Sequence, residues 1–168
     1  MSVVYPGLAS PEFDRDFRSL GQDVADLAAL FDARKIGKQE PAPLDEPTAQ
    51  TFEAVTTRLN AVLETAETLG AYLYAFISTN SRDTLAQARM SEYEQLGARL
   101  TQLGFRFTAW VGSLDVEALI QASTVAAEHA YPLRRAHAQA EHLMSPVEVE
   151  LAAELRLSGG VAWQKLWG

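Results

Sequence analysis

Between Pro47 and Pro132 the chain contains no proline. Proline breaks helix interiors by removing a hydrogen-bond donor and clashing with the preceding turn. An uninterrupted stretch of this length therefore has room for two full helices, provided the apolar pattern supports them. It does. Phe52, Val55, Leu59, Val62, Ala66, Leu69, Leu73 and Phe76 alternate at spacings of three and four, an unbroken a/d seam. The spacing predicts a helix from about Thr48 to Ile77, on the order of 45 Å long. Ser78-Thr79-Asn80-Ser81-Arg82-Asp83 is a polar break rich in cap residues. Beyond it Tyr93, Leu96, Leu100, Leu103, Phe107 and Trp110 resume the rhythm, and tracing that rhythm back places Arg89 on the seam. Two long antiparallel helices joined by a short break make a helical hairpin. In this hairpin Leu69, Leu73 and Phe76 are expected to meet Leu96, Leu100 or Phe107.

The flanking segments read as further helices. Ser10-Pro11 combines a cap residue with proline at the first helical position. Phe13, Phe17, Leu20, Val24, Leu27 and Phe31 follow as one stripe. Ile36 to Pro47 has the composition of a linker. After Gly112-Ser113 the elements shorten. One helix is predicted from Leu114 to about Ala130, capped by Ser113 or Asp115, and another from Tyr131 to Leu143. Ser145-Pro146-Val147-Glu148 is a capping box and predicts a helix to about Leu157. Ser158-Gly159-Gly160 is a joint before a last turn over Val161 to Trp167. No period-2 pattern occurs. The expected fold is all-α: a long antiparallel helical hairpin within a helical bundle, followed by shorter helices. It divides into residues 1–112, a helical region holding the hairpin, and residues 113–168, shorter helices.

Charge and composition exclude several functions. Asp plus Glu is 22 against 14 for Lys plus Arg, a net charge of −8 in 168 residues. That excess repels phosphate backbones, so nucleic acid is not expected as a partner. Cysteine is absent, which removes disulfides, thiolate catalysis and Cys-based zinc sites. The densest apolar run, Leu69 to Ile77, is half the length needed to cross a bilayer, and the first residues carry no signal-peptide pattern. A cytoplasmic location without a membrane partner is expected.

The motifs of common chemistries are missing. No His-Glu-x-x-His and no Gly-x-Gly-x-x-Gly occurs. Gly37-Lys38 is no phosphate loop, because Asp32 stands where its first glycine belongs and Gln39 follows the lysine. Gly112-Ser113-Leu114-Asp115 lacks the second glycine of a nucleophile elbow. Each of the three histidines has a carboxylate nearby: Glu128 beside His129, and Glu141 beside His142 and four residues from His137. A bundle metal site needs Glu-x-x-His on one helix, but the upstream positions are Ala126, Arg134 and Gln139. His137 and His142 lie roughly 140° apart around a helix and do not converge. The His137–Glu141 spacing fits a surface contact. No catalytic, cofactor-binding or metal-ligating residue is assigned. Phe76, Phe107 and Trp110 sit on seams and are expected in the core, whereas Tyr72 and Tyr74 lie off the stripe and are open to a further surface.

Several segments, taken in order, resemble a known family. Tyr5-Pro6-Gly7-Leu8 and Ser10-Pro11-Glu12-Phe13 are followed by the run Leu69-Gly70-Ala71-Tyr72-Leu73-Tyr74-Ala75-Phe76-Ile77-Ser78-Thr79-Asn80-Ser81-Arg82-Asp83. Then come Arg106-Phe107-Thr108-Ala109-Trp110, His142-Leu143-Met144-Ser145-Pro146 and Ser158-Gly159-Gly160-Val161-Ala162-Trp163. Together they resemble the N-terminal region of oligoendopeptidase F-type proteins, zinc metallopeptidases related to thimet oligopeptidase. The resemblance implies a non-catalytic helical domain that helps wall a channel for oligopeptide substrates, with the catalytic domain of the same enzyme as its partner. Zinc and its ligands lie in the family's downstream catalytic domain, in a His-Glu-x-x-His helix and a later Glu, and no position here matches them. The resemblance also implies that the chain is a piece of a longer enzyme and is inactive alone. In isolation its helices after Gly112 and the Trp163 and Trp167 tail would face water, so a homo-oligomer is expected. The alternative reading is a free-standing helical-bundle interaction module that self-associates through its seams.

Overall fold

The computed structural model describes residues 5–140 and His142. The described residues form six helices and no strand: α1 (Pro11–Ala33), α2 (Glu46–Thr79), α3 (Thr84–Val111), α4 (Val116–Ala122), α5 (Thr124–Glu128) and α6 (Ala130–Ala140). The chain is therefore all-α, with α2 and α3 forming the long hairpin and α1 packed against both. The helix predicted from the capping box at Ser145 and the turns around Val161 to Trp167 lie outside the described residues.

Local chemistry accounts for the starts of α1 to α4. The Ser10 hydroxyl accepts the Phe13 N–H, with Pro11 at the first helical position. Asp45, Asp83 and Asp115 accept the N–H groups of Thr48, Ala86 and Ala118 at 2.9, 3.0 and 3.0 Å. α2 thus begins two residues before the sequence-predicted Thr48. Asp45 caps it and Pro47 is accommodated in its first turn, where proline sacrifices no hydrogen bond.

Packing follows the seams closely in α1 and α2. The buried residues of α1 are the six of the predicted stripe. Those of α2 include seven of the eight seam residues, and Phe76 is half-buried. In α3 the seam is looser: Leu100, Leu103 and Trp110 are buried, while Tyr93, Leu96 and Phe107 are half-buried. The hairpin register is fixed by two contacts. The Tyr93 hydroxyl donates to the Ala66 carbonyl at 2.9 Å, and the Phe107 ring lies 6.1 Å from that of Phe52. Phe107 therefore packs near the start of α2, not against Leu69, Leu73 or Phe76. In an antiparallel pair the last turns of α2 face the first turns of α3, where Ala86 is fully buried. The helices approach closely at Gly70, where a Cβ would overlap the Tyr93 hydroxyl. Glycine is required there for contact, not for backbone freedom.

The segment after α1 is more than a linker. Ile36 N–H bonds to the Phe31 carbonyl at 2.8 Å and Lys35 N–H to that of Asp32 at 3.1 Å. Lys35 adopts φ 53°, so the helix ends in a Schellman motif with lysine in the left-handed position that usually takes glycine. Ile36 is buried, and Arg106 of α3 clamps the turn. Its Nε donates to the Ile36 carbonyl at 3.0 Å, its guanidinium pairs with Asp32 at 2.8 Å, and it lies 5.5 Å from the Phe31 ring centre.

One expectation for the shorter helices is corrected. The single helix predicted from Leu114 to Ala130 is two, α4 and α5, divided at Ser123. Ser123 leaves the helical region (φ −128°, ψ 127°) and its hydroxyl caps Ala126 while donating to Glu53 of α2 at 2.5 Å. Much of the apolar surface of α4 to α6 is also covered, although Tyr131 stays exposed. Leu119, Ala126 and Leu133 are buried, with α6 packed on α3 and α5 on α2. A Cβ on Gly112 would overlap Ala140, which shows how closely α6 approaches the end of α3.

Candidate functional site

One aromatic cluster gathers residues that the sequence places far apart. Tyr5 is buried although it precedes the first helix. Its ring stands edge-on to Phe13 at 5.4 Å and to Tyr72 at 5.1 Å, and Tyr72 stands edge-on to Phe76 at 5.1 Å. Edge-to-face geometry at this separation is the favoured arrangement of aromatic quadrupoles. The polar ends are also satisfied. The Tyr72 hydroxyl donates to the Tyr5 carbonyl at 2.9 Å, and the Tyr5 hydroxyl donates to Asp16 at 3.1 Å. Tyr72, which lies off the seam, is thus the anchor of the N-terminal segment, while Tyr74 is 68% exposed. The turn-side position of Tyr72 gave no hint of this bond, because its partner is 67 residues away.

These phenols predict an alkaline limit to stability. Burial raises the pKa of Tyr5, reinforced by its hydrogen bond to Asp16, and burial also raises those of Tyr72 and Tyr93. A phenol whose folded pKa is raised contributes stability that is intact below its unfolded value near 10 and is lost as pH rises through the folded value. Urea midpoints should therefore fall above about pH 10. They should fall less in a Tyr5→Phe/Tyr72→Phe/Tyr93→Phe triple variant, each compared with its own neutral-pH value. Equal alkaline losses in both proteins would refute the assignment.

The histidines are distributed without convergence. His129 Nδ1 lies 2.8 Å from the Val125 carbonyl and Nε2 lies 3.3 Å from the Asn60 amide nitrogen, contacts that tie the end of α5 to α2. His137 Nδ1 lies 3.3 Å from the Val111 carbonyl, and its ring lines a shallow cleft of about 420 Å³ with Asp115, Glu117 and Arg134. Arg134 grips Glu117 with two hydrogen bonds of 2.7 and 2.9 Å. The arginine's hydrogen bonds hold the Glu117 carboxyl below its ordinary pKa, leaving it an ion-pair partner instead of a proton donor near neutrality. His142 is exposed. Among the described residues no group of three His, Cys, Asp or Glu side chains comes together in a way that could hold a metal ion. No helix among them is long and apolar enough to cross a membrane.

Comparisons with protein-family models, curated proteins and solved structures returned no match.

Proposed function

We propose that this chain is the non-catalytic, N-terminal helical region of a zinc-dependent oligoendopeptidase, and that it helps wall the channel admitting short peptides. The resemblance of its ordered segments to that family is the starting point. One structural observation supports it most: the segments at 5–8, 10–13 and 69–83 meet in the Tyr5–Phe13–Tyr72–Phe76 cluster, closed by the Tyr72-to-Tyr5 hydrogen bond. Residues quoted for likeness in sequence thus cooperate in one structural task, holding the N-terminus on the hairpin. Arg106, in another such segment, pins the end of α1.

Zinc does not fit the described residues. His129 has both ring nitrogens engaged by α2 and α5, and His137 stands beside the Glu117–Arg134 pair with no third ligand. In this reading the metal and the peptide-cleaving groups belong to a downstream catalytic domain, the main partner of this chain. Tyr74, Phe105 and Tyr131, exposed by 68, 51 and 76%, offer apolar contact area to it.

The coding sequence beyond codon 168 tests the proposal directly. A His-Glu-x-x-His motif in frame, some hundreds of codons on, is the expected finding. A stop codon without that motif, together with a dimer in sedimentation equilibrium, would replace the proposal with a self-associating helical module.

A further inference from the structure

The face between α1 and α3 carries a second, chemically distinct cleft of about 380 Å³. Volumes of roughly 300–1,000 Å³ are typical of small-molecule sites. Arg18 from α1 and Arg89 and Arg99 from α3 line it. Three guanidiniums sharing one cleft are unexpected in a chain with net charge −8. Carboxylates are plentiful here, and six ion pairs form elsewhere and at Arg89 among the described residues. None of them involves Arg18 or Arg99. Arg18 directs only its Nε to the Asp14 carbonyl at 3.0 Å.

Arg89 is held in place and partly neutralised. Asp14 and Glu92 pair with its terminal nitrogens, it lies 5.5 Å from the Phe17 ring centre, and its buried Nε has no partner. It forms a fixed wall. The terminal nitrogens of Arg18 and the guanidinium of Arg99, both exposed, line the same cleft outside the ion pairs. Guanidinium is the side chain best suited to clasp a planar or tetrahedral oxyanion through paired N–H groups. The rest of the lining is Phe17, Leu96, Gly21, Gln95 and Glu92, whose carboxylate is taken up by Arg89, so the cleft sets two unpaired cationic side chains beside apolar surface. Space exists at Gly21 because it has no side chain: nothing lies within 4 Å of where its Cβ would be.

We propose that this cleft binds a small organic oxyanion, a carboxylate or phosphate on an apolar group, with Arg18 and Arg99 holding the anion. α1 and α3 alone form the site, so it stands independently of the peptidase reading.

Titration of the full 168-residue chain, followed by amide NMR shifts at constant ionic strength, tests this. Phenyl phosphate and 3-phenylpropionate are the probes, with inorganic phosphate for the anion alone. At least one organic probe should bind saturably, perturb Gly21 and Leu96, and bind more tightly than inorganic phosphate. The better of the two identifies the anionic group. Arg18→Gln and Arg99→Gln should each weaken binding at least tenfold, and Arg135→Gln, on α6, should not. Gly21→Leu should abolish binding by filling the cleft while leaving the urea midpoint at or above the parent value. Absence of saturable binding, equal binding by inorganic phosphate, or equal losses in Arg135→Gln and Arg99→Gln would each overturn the proposal. So would a folded Gly21→Leu chain that binds normally.

Discussion

Phe52→Ala is expected to destabilise the chain by about 3–5 kcal/mol, at the upper end for a single core truncation. Phe52 is fully buried near the start of α2, and its ring lies 6.1 Å from Phe107 and 6.3 Å from Trp110 of the returning helix. Phe107 and Trp110 are themselves 6.2 Å apart, so the three rings form one closed contact. Removing the central ring leaves two large side chains facing a cavity that neither can fill without leaving its rotamer. Because the rings touch, Phe52→Ala and Phe107→Ala should not add. Urea unfolding of both single variants and the double variant measures this. A loss below about 1 kcal/mol for Phe52→Ala would place the ring outside the core.

Leu73→Ala is expected to cost about 2–5 kcal/mol. Leu73 is fully buried in the last turns of α2, between Tyr72 and the exposed Tyr74. Its loss should loosen the end of the hairpin that also anchors Tyr5. Tyr74→Ala, one residue on, should change stability by no more than about 0.5 kcal/mol, as exposed positions do. The contrast between neighbours is the discriminating result. If Tyr74→Ala cost more than Leu73→Ala, the seam would run along the wrong face of α2.

Much of this architecture was legible because long helices write their packing locally. Pro11, the cap at Ser10, and the alternating spacing from Phe13 to Phe31 and from Phe52 to Phe76 each state one helix boundary or one buried face, and the structure chooses Asp115 over Ser113 as the cap of α4. What could not be read depends on partners distant in sequence. Lys35 takes the left-handed position because Phe31, Ile36 and Arg106 close the turn around it, although Gly37 is the more obvious terminator. Ser123 breaks a predicted helix because its hydroxyl donates to Glu53 and at the same time accepts the Ala126 N–H. Arg89 occupies a seam position because Phe17 takes its guanidinium face and Asp14 its charge. Phe107 pairs with Phe52 because the register is set by Tyr93 and Ala66, which no single-helix pattern reveals. The function was less legible still. The proposed peptidase role rests on ordered resemblances in structural residues, and the arginine cleft needs two helices before it exists.

Zinc-dependent cleavage of a short quenched fluorescent peptide is the most direct measurement of the central proposal. The 168-residue chain alone, supplied with excess zinc, should show no turnover above a denatured control. The same chain extended through its downstream coding sequence should cleave the peptide and lose that activity to a chelator. Turnover by the chain alone, or an extended protein that binds no zinc and cleaves nothing, would contradict it.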